Sequence, residues 1–287
     1  MMASPTALCE HQAALAELLS EFDRVCQALD IPYVLFAGTM LGAVRHHGFI
    51  PWDDDLDVLM LRCDYDRLLR EADGVLNGER FFLQKEFSEH WPMFFSKLRL
   101  NGTTCLETYH PKDMASHFGV YIDIFPCDNA ANGRFGRRMQ YLASKAVIAQ
   151  SLYKRGYETN SLVKKLFMQA CRLLPAGGLR RVVKGGRKDS RTVHTFFAAA
   201  ASYRKNVYPR EWFTTRITVP FGEGEYPIPA EYDRVLTHIY GAYMTLPPPE
   251  QRRVKRHAVL VDLHNGYECY RTYHREMAFD VLTESIR

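Results

Sequence analysis

Asp53, Asp54, Asp55 and Asp57 crowd four carboxylates into one short stretch, and the chain runs straight on into the apolar Val58-Leu59-Met60-Leu61. On an extended backbone Asp55 and Asp57 project from one face while Leu56 and Val58 turn to the other. Two carboxylates sharing one spot repel and raise each other's pKa unless a cation sits between them, and hard oxygen donors favour Mg2+ or Mn2+. Upstream, behind the apolar run Tyr33-Val34-Leu35-Phe36, stands Gly38-Thr39. A glycine and a hydroxyl residue opening a short helix let backbone N–H groups and the Thr39 hydroxyl approach a phosphate closely. Glycine turn and carboxylate cluster together spell metal-dependent phosphoryl transfer. A calcium loop also opens Asp-x-Asp-x-Asp, but counted from Asp53 its sixth position must be Gly and is Val58, and its twelfth must be Glu and is Asp64.

Asp123 is the next informative acid, because it interrupts the strand-like Tyr121-Ile122-Asp123-Ile124-Phe125, where an unpaired carboxylate is costly to bury. It reads as the partner of Lys97 or Arg99 on a neighbouring strand, as the third carboxylate of the metal site, or as both. Lys97 and Arg99 are two apart and share a strand face. They are either solubility residues or a clamp on a diphosphate that the metal bridges. Arg45 and His46 close the short helix and suit phosphate contact or C-terminal capping better than metal ligation, since no other His stands at ligand spacing. Trp52 immediately precedes the acids. Trp52, Trp91, Phe94, Phe95 and Tyr121 lie near these motifs; such rings usually belong to a core, and where exposed their faces attract cations.

The elements that must position these residues follow from periodicity. Leu15, Leu18, Leu19, Phe22, Val25, Cys26 and Leu29 mark a packing helix over 11–29, ended by Ile31-Pro32. A strand over 33–37, a short helix over 39–46 and a second strand over 56–61 come next. A helix over 64–76 then precedes three strand-like runs at 80–83, 94–100 and 120–125, the last stopping at Pro126. Val219 to Pro229 predicts a strand pair turning on Gly222-Glu223-Gly224, with helix expected from Asp233 onward.

The chain of 287 residues is 47% hydrophobic, enough for one large core or two modest ones. Seven scattered cysteines without a Cys-x-x-Cys pair suit a reducing cytoplasm. Neither a signal peptide nor a spanning helix is expected. The net charge of +4 conceals a split: fifteen Lys or Arg against Glu158 and Asp189 between Arg134 and Arg191 make that block +13 and leave the rest at −9. Glycine-rich ends (Asn132 to Gly136, Lys184 to Arg187) and helical spacing at Met139, Leu142, Ala143, Ala146, Val147 and at Leu162, Val163, Leu166, Phe167, Ala170 describe a basic helical insertion. Its positive face is either simply solvated, docked on anionic lipid, or used to hold a phosphorylated substrate. No nucleic acid is expected, because stacking aromatics are not interleaved with the charge.

With these residues assembled the chain resembles the LicD family, phosphocholine transferases related to the fukutin group of phospho-polyol transferases within the nucleotidyltransferase superfamily. Gly38-Thr39 with Asp55-Leu56-Asp57 carries the superfamily pattern, and the whole run from Gly38 to Asp57 carries the longer LicD form. Phe95-Ser96-Lys97-Leu98-Arg99 with Thr103, Ile122-Asp123-Ile124-Phe125-Pro126 and Tyr240-Gly241-Ala242-Tyr243 echo it later, so the resemblance spans residues 12–130 and 216–260. Ala242 departs from it, standing where the late motif commonly has Asp. The resemblance implies an α/β (α+β) fold, a nucleotidyltransferase-like mixed sheet flanked by helices. Residues 1–130 would form the catalytic core, 131–200 the insertion, and 201–287 a strand pair and helices completing the same domain. It implies transfer of phosphocholine from a nucleotide-diphosphate donor such as CDP-choline to a hydroxyl of a cell-surface glycan, possibly lipid-linked in its precursor form. Mg2+ or Mn2+ would lie on Asp53, Asp55, Asp57 and Asp123, with Lys97 and Arg99 catalytic and Gly38, Thr39, Arg45, His46 and Trp52 binding substrate. A polyol-phosphate transferase, a nucleotidyltransferase with the same site, and a noncatalytic glycan-binding relative are the alternatives. The expected location is cytoplasmic, peripheral at the inner face of the membrane.

Overall fold

Leu15, Leu18, Leu19, Phe22, Val25 and Cys26 form the buried stripe of helix α1 (Pro5–Ala28) in the computed structural model, which describes residues 5–107, 116–157, 159–185, 190–195, 203–252 and 257–270. The stripe packs on β-strands that arrive next in the chain. Strand β1 (Val34–Leu35) is only two residues long, and Ala37, at φ 46°, swings the backbone from it into helix α2 (Ala37–His46). A non-glycine residue in that left-handed region is uncommon and strained. Gly42 sits where α2 touches the following loop, since a Cβ there would collide with the Gly48 carbonyl oxygen.

Strand β2 (Asp57–Leu61), helix α3 (Arg62–Glu71), and strands β3 (Phe81–Gln84), β4 (Ser96–Leu100), β5 (Thr104–Glu107) and β6 (Tyr121–Asn129) follow. Helices α4 (Arg134–Lys154), α5 (Leu162–Arg172) and α6 (Ala176–Lys184) make the basic block helical as its spacing predicts. After them come β7 (Thr192–His194), β8 (Val207–Pro209), β9 (Arg216–Phe221), β10 (Gly224–Pro229), helix α7 (Tyr232–Tyr240) and β11 (Ala258–Asp262). The main sheet runs β1-β2-β6-β4-β3, with β7 and β8 extending it beyond the end of β6. Only β2 and β6 are parallel; the sheet is mixed and flanked by helices, as expected. The β9–β10 hairpin turns at Gly222-Glu223.

Two expectations need correction. Strand β6 does not stop at Pro126 but continues to Asn129. The Asp123 N–H points at β2, donating to Leu56 O at 2.9 Å, so by strand alternation the missing N–H of Pro126 faces the β4 side. There β4 has already ended at Ser96, opposite Ile124, and no ladder bond is lost. Helix from Asp233 onward lasts only through Tyr240; β11 then pairs antiparallel with β5. Residues 271–287, also expected to be helical, lie outside the described residues, as do Gly186 and Arg187 at the end of the insertion and the first four residues of the N-terminus. All seven thiols are free. Among the described residues no helix is long and apolar enough to cross a membrane.

Candidate active site

Strand pairing brings the separated acids together. Asp57 and Asp123 are Cα partners on the parallel strands β2 and β6, so their side chains leave the same face, and Asp123 is in turn the partner of Lys97 on β4. The start of β2 is pinned by α2: Thr39 Oγ1 accepts from the Asp57 N–H at 2.8 Å, and the Asp57 carbonyl accepts from the Phe36 N–H at 3.0 Å. Thr39 is buried, and its hydroxyl, by accepting this bond, positions Asp57 as well as lying at the start of α2. At Gly38 a Cβ would lie 3.0 Å from Asp53 Oδ2, so any side chain there would press the Asp53 carboxylate aside. From α1, Gln12 Nε2 donates to Asp53 O at 2.8 Å and to Ile50 O at 3.3 Å, fixing the loop that carries the acids.

The carboxylates act on one another. Burial and then Asp55, Asp123 and Asp53 push the Asp57 carboxyl well above its usual range. Burial and then Asp53 push Asp55 up to about 6. Burial also raises Asp123 against the opposing pull of Lys97. Asp123 Oδ1 is buried 3.2 Å from Lys97 Nζ yet makes no properly directed hydrogen bond. This excess of negative charge suits a hard divalent cation held by Asp55 and Asp57, with the unspent oxygen of Asp123 facing it from β6. No three His, Cys, Asp or Glu side chains among the described residues are already closed into a chelate, so the acids would have to draw in around an ion.

Behind Asp123 lies a node that local pattern did not reveal. Glu107, at the end of β5, accepts from Tyr121 Oη at 2.6 Å and Lys97 Nζ at 2.8 Å on one oxygen, and from the Arg155 guanidinium at 2.9 Å on the other. Burial would raise its carboxyl, but Lys97, Arg155 and Arg99 outweigh burial and hold it far below the usual range. Lys97, 1% exposed, lies 3.1 Å from the Tyr121 ring centroid and 5.2 Å from that of Trp91. Arg99 shares this face, but it is buried and donates to Gln84 Oε1 at 2.6 Å and Gly119 O at 2.7 Å. It braces the sheet behind the site and does not reach the acids. The faces of Trp91, Phe95 and Tyr121 are therefore engaged by the protein's own cations, which removes them as a ready-made cage for a quaternary ammonium.

The rim comes from α2 and the C-terminal segment. Arg45 donates to Tyr243 O at 2.7 Å and to His46 Nε2 at 3.0 Å, and His46 meets Trp52 edge-on at 6.1 Å. Burial, then Arg45 and His47, lower the His46 pKa. Tyr240 lies within the field of Asp57, Asp53 and Asp55, which after burial raise its phenol pKa further. His257 Nδ1 is 2.7 Å from Asp54 Oδ1 and 3.7 Å from Asp55 Oδ2, and the His257 backbone N–H donates to Asp54 Oδ2 at 3.0 Å. The Asp54 hydrogen bond and then the charges of Asp55, Asp54 and Asp53 raise it to about 9. A cleft of about 210 Å3, lined by Val34, Leu59, Leu61, Asp64, Phe213 and Arg216, opens at the β1 edge, and none of the four site acids borders it.

A group of carboxylates at the mouth of a mixed sheet, near the start of a helix, is an arrangement suited to group transfer at phosphorus. Residues 30–130 match the family model described as LicD/FKTN/FKRP, nucleotidyltransferase domain. The similarity to that family lies in this segment, and the chain as a whole has a curated relative. It is 25% identical over 260 residues to the lipopolysaccharide cholinephosphotransferase LicD of Haemophilus influenzae, covering 86% of this chain and 94% of that one. Over 51 residues it is 41% identical to an uncharacterized protein of Rickettsia prowazekii, covering 18% of this chain and 19% of the other. A Rickettsia typhi protein matches to the same degree over 18% of this chain and 16% of its own.

Proposed function

We propose that this enzyme is a phosphotransferase that moves phosphocholine from CDP-choline to a hydroxyl of a lipopolysaccharide-type cell-surface glycan, with Mg2+ or Mn2+ as cofactor. The reading rests on one observation above the others: within the family-matching segment, Asp57 and Asp123 are register partners on adjacent strands. The name of the Haemophilus relative supports choline phosphate as the group and lipopolysaccharide as the acceptor. A bound divalent ion would neutralise charge on the diphosphate and on the departing nucleotide.

This chain's own residues do the rest. With Thr39 engaged by Asp57, phosphate at the start of α2 meets backbone N–H groups and the positive end of the helix dipole. Asp55 and Asp57 would hold the ion. The acceptor oxygen attacks phosphorus, the bond to the nucleotide phosphate breaks, cytidine monophosphate leaves, and the acceptor's proton passes to Asp123, the acid that faces Asp57 across the paired strands. Lys97, 3.2 Å from Asp123, steadies the oxygens of the transferring group while Glu107 keeps it from closing fully on Asp123.

The test is release of cytidine monophosphate from CDP-choline with Mg2+ and a lipopolysaccharide acceptor, run in parallel with CDP-polyol donors. Asp57→Asn should slow turnover about a thousandfold, the worth of several kcal/mol of barrier. An Asp57→Asn protein working at wild-type rate removes the site assignment, and release from a CDP-polyol alone transfers the reading to the polyol phosphates.

A further inference from the structure

The surface of the basic block is built the wrong way round for a helix that merely covers a core. Met168 and Cys171 of α5 are buried against Ala146 and Ala149 of α4. Leu162, Val163, Leu166 and Phe167 lie about 140° around the α5 axis from that contact at 100° per residue, and all four are exposed, Val163 by 77%. Leu173 and Leu174 continue the stripe past the helix end, Leu173 with 82% exposed. On α4, Phe135, Met139 and Leu142 form a second exposed stripe, in line with the Ala146 and Ala149 that α5 covers. Because α5 packs on the continuation of that stripe, both apolar stripes look out on the same side. Eleven of the eighteen large hydrophobic side chains exposed among the described residues belong to this block.

The same block is strongly positive. Between Arg134 and Lys184 the described residues include twelve Lys or Arg and no Asp or Glu, and on α5 the exposed Lys164 and Lys165 lie about 60° outside the two edges of the apolar stripe at 100° per residue. An outward apolar stripe flanked by cations is the pattern of a helix lying in a lipid interface, with its apolar side among the acyl chains and its cations on anionic headgroups. A second copy of this chain fits poorly, since apposing two such patches sets like charge against like charge. We propose that α5, together with the outer stripe of α4, docks this protein on the surface of an anionic lipid bilayer. The inference holds whichever phospho-substituent is transferred.

The test is cosedimentation of the full chain with vesicles of phosphatidylcholine alone and of phosphatidylcholine mixed with phosphatidylglycerol. Wild type should pellet with the anionic vesicles only, and less so as salt rises. Leu166→Gln combined with Phe167→Gln should weaken this at least about tenfold, the consequence of withdrawing two apolar side chains from the interface. Lys164→Glu with Lys165→Glu should do the same. Both pairs are exposed and away from the acids, so the circular dichroism spectrum, the urea midpoint and turnover of a soluble acceptor should not change. Wild type that ignores phosphatidylglycerol, or a Leu166→Gln/Phe167→Gln protein that binds undiminished, overturns the proposal. So does a concentration-dependent dimer that the same variant dissolves, which would give the face to a second copy.

Discussion

Glu107→Gln tests the ion node behind the acids, since it keeps the shape and one acceptor oxygen of the side chain and removes only the charge. Lys97 Nζ stands 2.8 Å and the Arg155 guanidinium 2.9 Å from the Glu107 carboxylate. At an effective dielectric of about 20, a unit pair at that separation interacts by about 6 kcal/mol. Desolvation of the ions offsets much of this, and breaking a buried pair from one side costs about 3–5 kcal/mol because the partner is left uncompensated. Here two cations lose a shared anion while Lys97 keeps Asp123 at 3.2 Å, so the loss should fall within that range. Urea unfolding followed by tryptophan fluorescence reads it directly. The pH dependence gives an independent check. The Glu107 carboxyl is held below its unfolded value of 4.5, so its stabilisation is present above that pH and is lost as pH falls toward the folded value. Wild type should therefore lose stability below pH 4.5 more steeply than Glu107→Gln. A variant that loses less than about 1 kcal/mol and retains the wild-type acid slope would refute the reasoning.

Thr39→Val keeps volume but deprives the Asp57 N–H of its acceptor at a buried position. Leaving that donor unmatched should cost about 1–3 kcal/mol in urea unfolding and lower kcat more than KM, because the strand end that carries Asp57 is loosened; an unchanged protein would show that Thr39 does not position Asp57. His257 has its pKa raised from 6.5 to about 9, first by the Asp54 hydrogen bond and then by Asp55. Its contribution is complete below pH 6.5 and disappears as pH rises through 9. Thermal midpoints measured across that interval should fall for wild type and fall less for His257→Ala, and parallel curves would show that the contact stabilises nothing.

Local pattern carries a large part of this molecule. The stripe of α1, the turn-helix-acid run from Gly38 to Asp57, the β9–β10 hairpin and the helical character of the basic block are all legible in residue spacing, because each depends on neighbours within a few turns of chain. Hydrogen bonding and sheet register are of another kind. That Asp123 stands opposite Asp57 and Lys97, that Thr39 serves the Asp57 N–H, and that Arg99 turns back to Gln84 and Gly119 follow from pairings between distant segments. Glu107 offered only the weak cue of an acid ending the β-prone Thr-Thr-Cys-Leu-Glu run. His257 gave none, for its partner Asp54 is reached only through the tertiary fold.

The spacing of apolar residues along α5 showed that the helix has an apolar side, and spacing cannot say more, since a periodicity specifies a face without specifying what it meets. Packing of Met168 and Cys171 against α4 settled the direction, and it points outward. In the same way the types of the acids announced the chemistry, oxygen donors too crowded to stay ionised alone, while their convergence at one point belongs to the crossing of β2, β4 and β6, where chain segments far apart in sequence are held within hydrogen-bonding distance of each other.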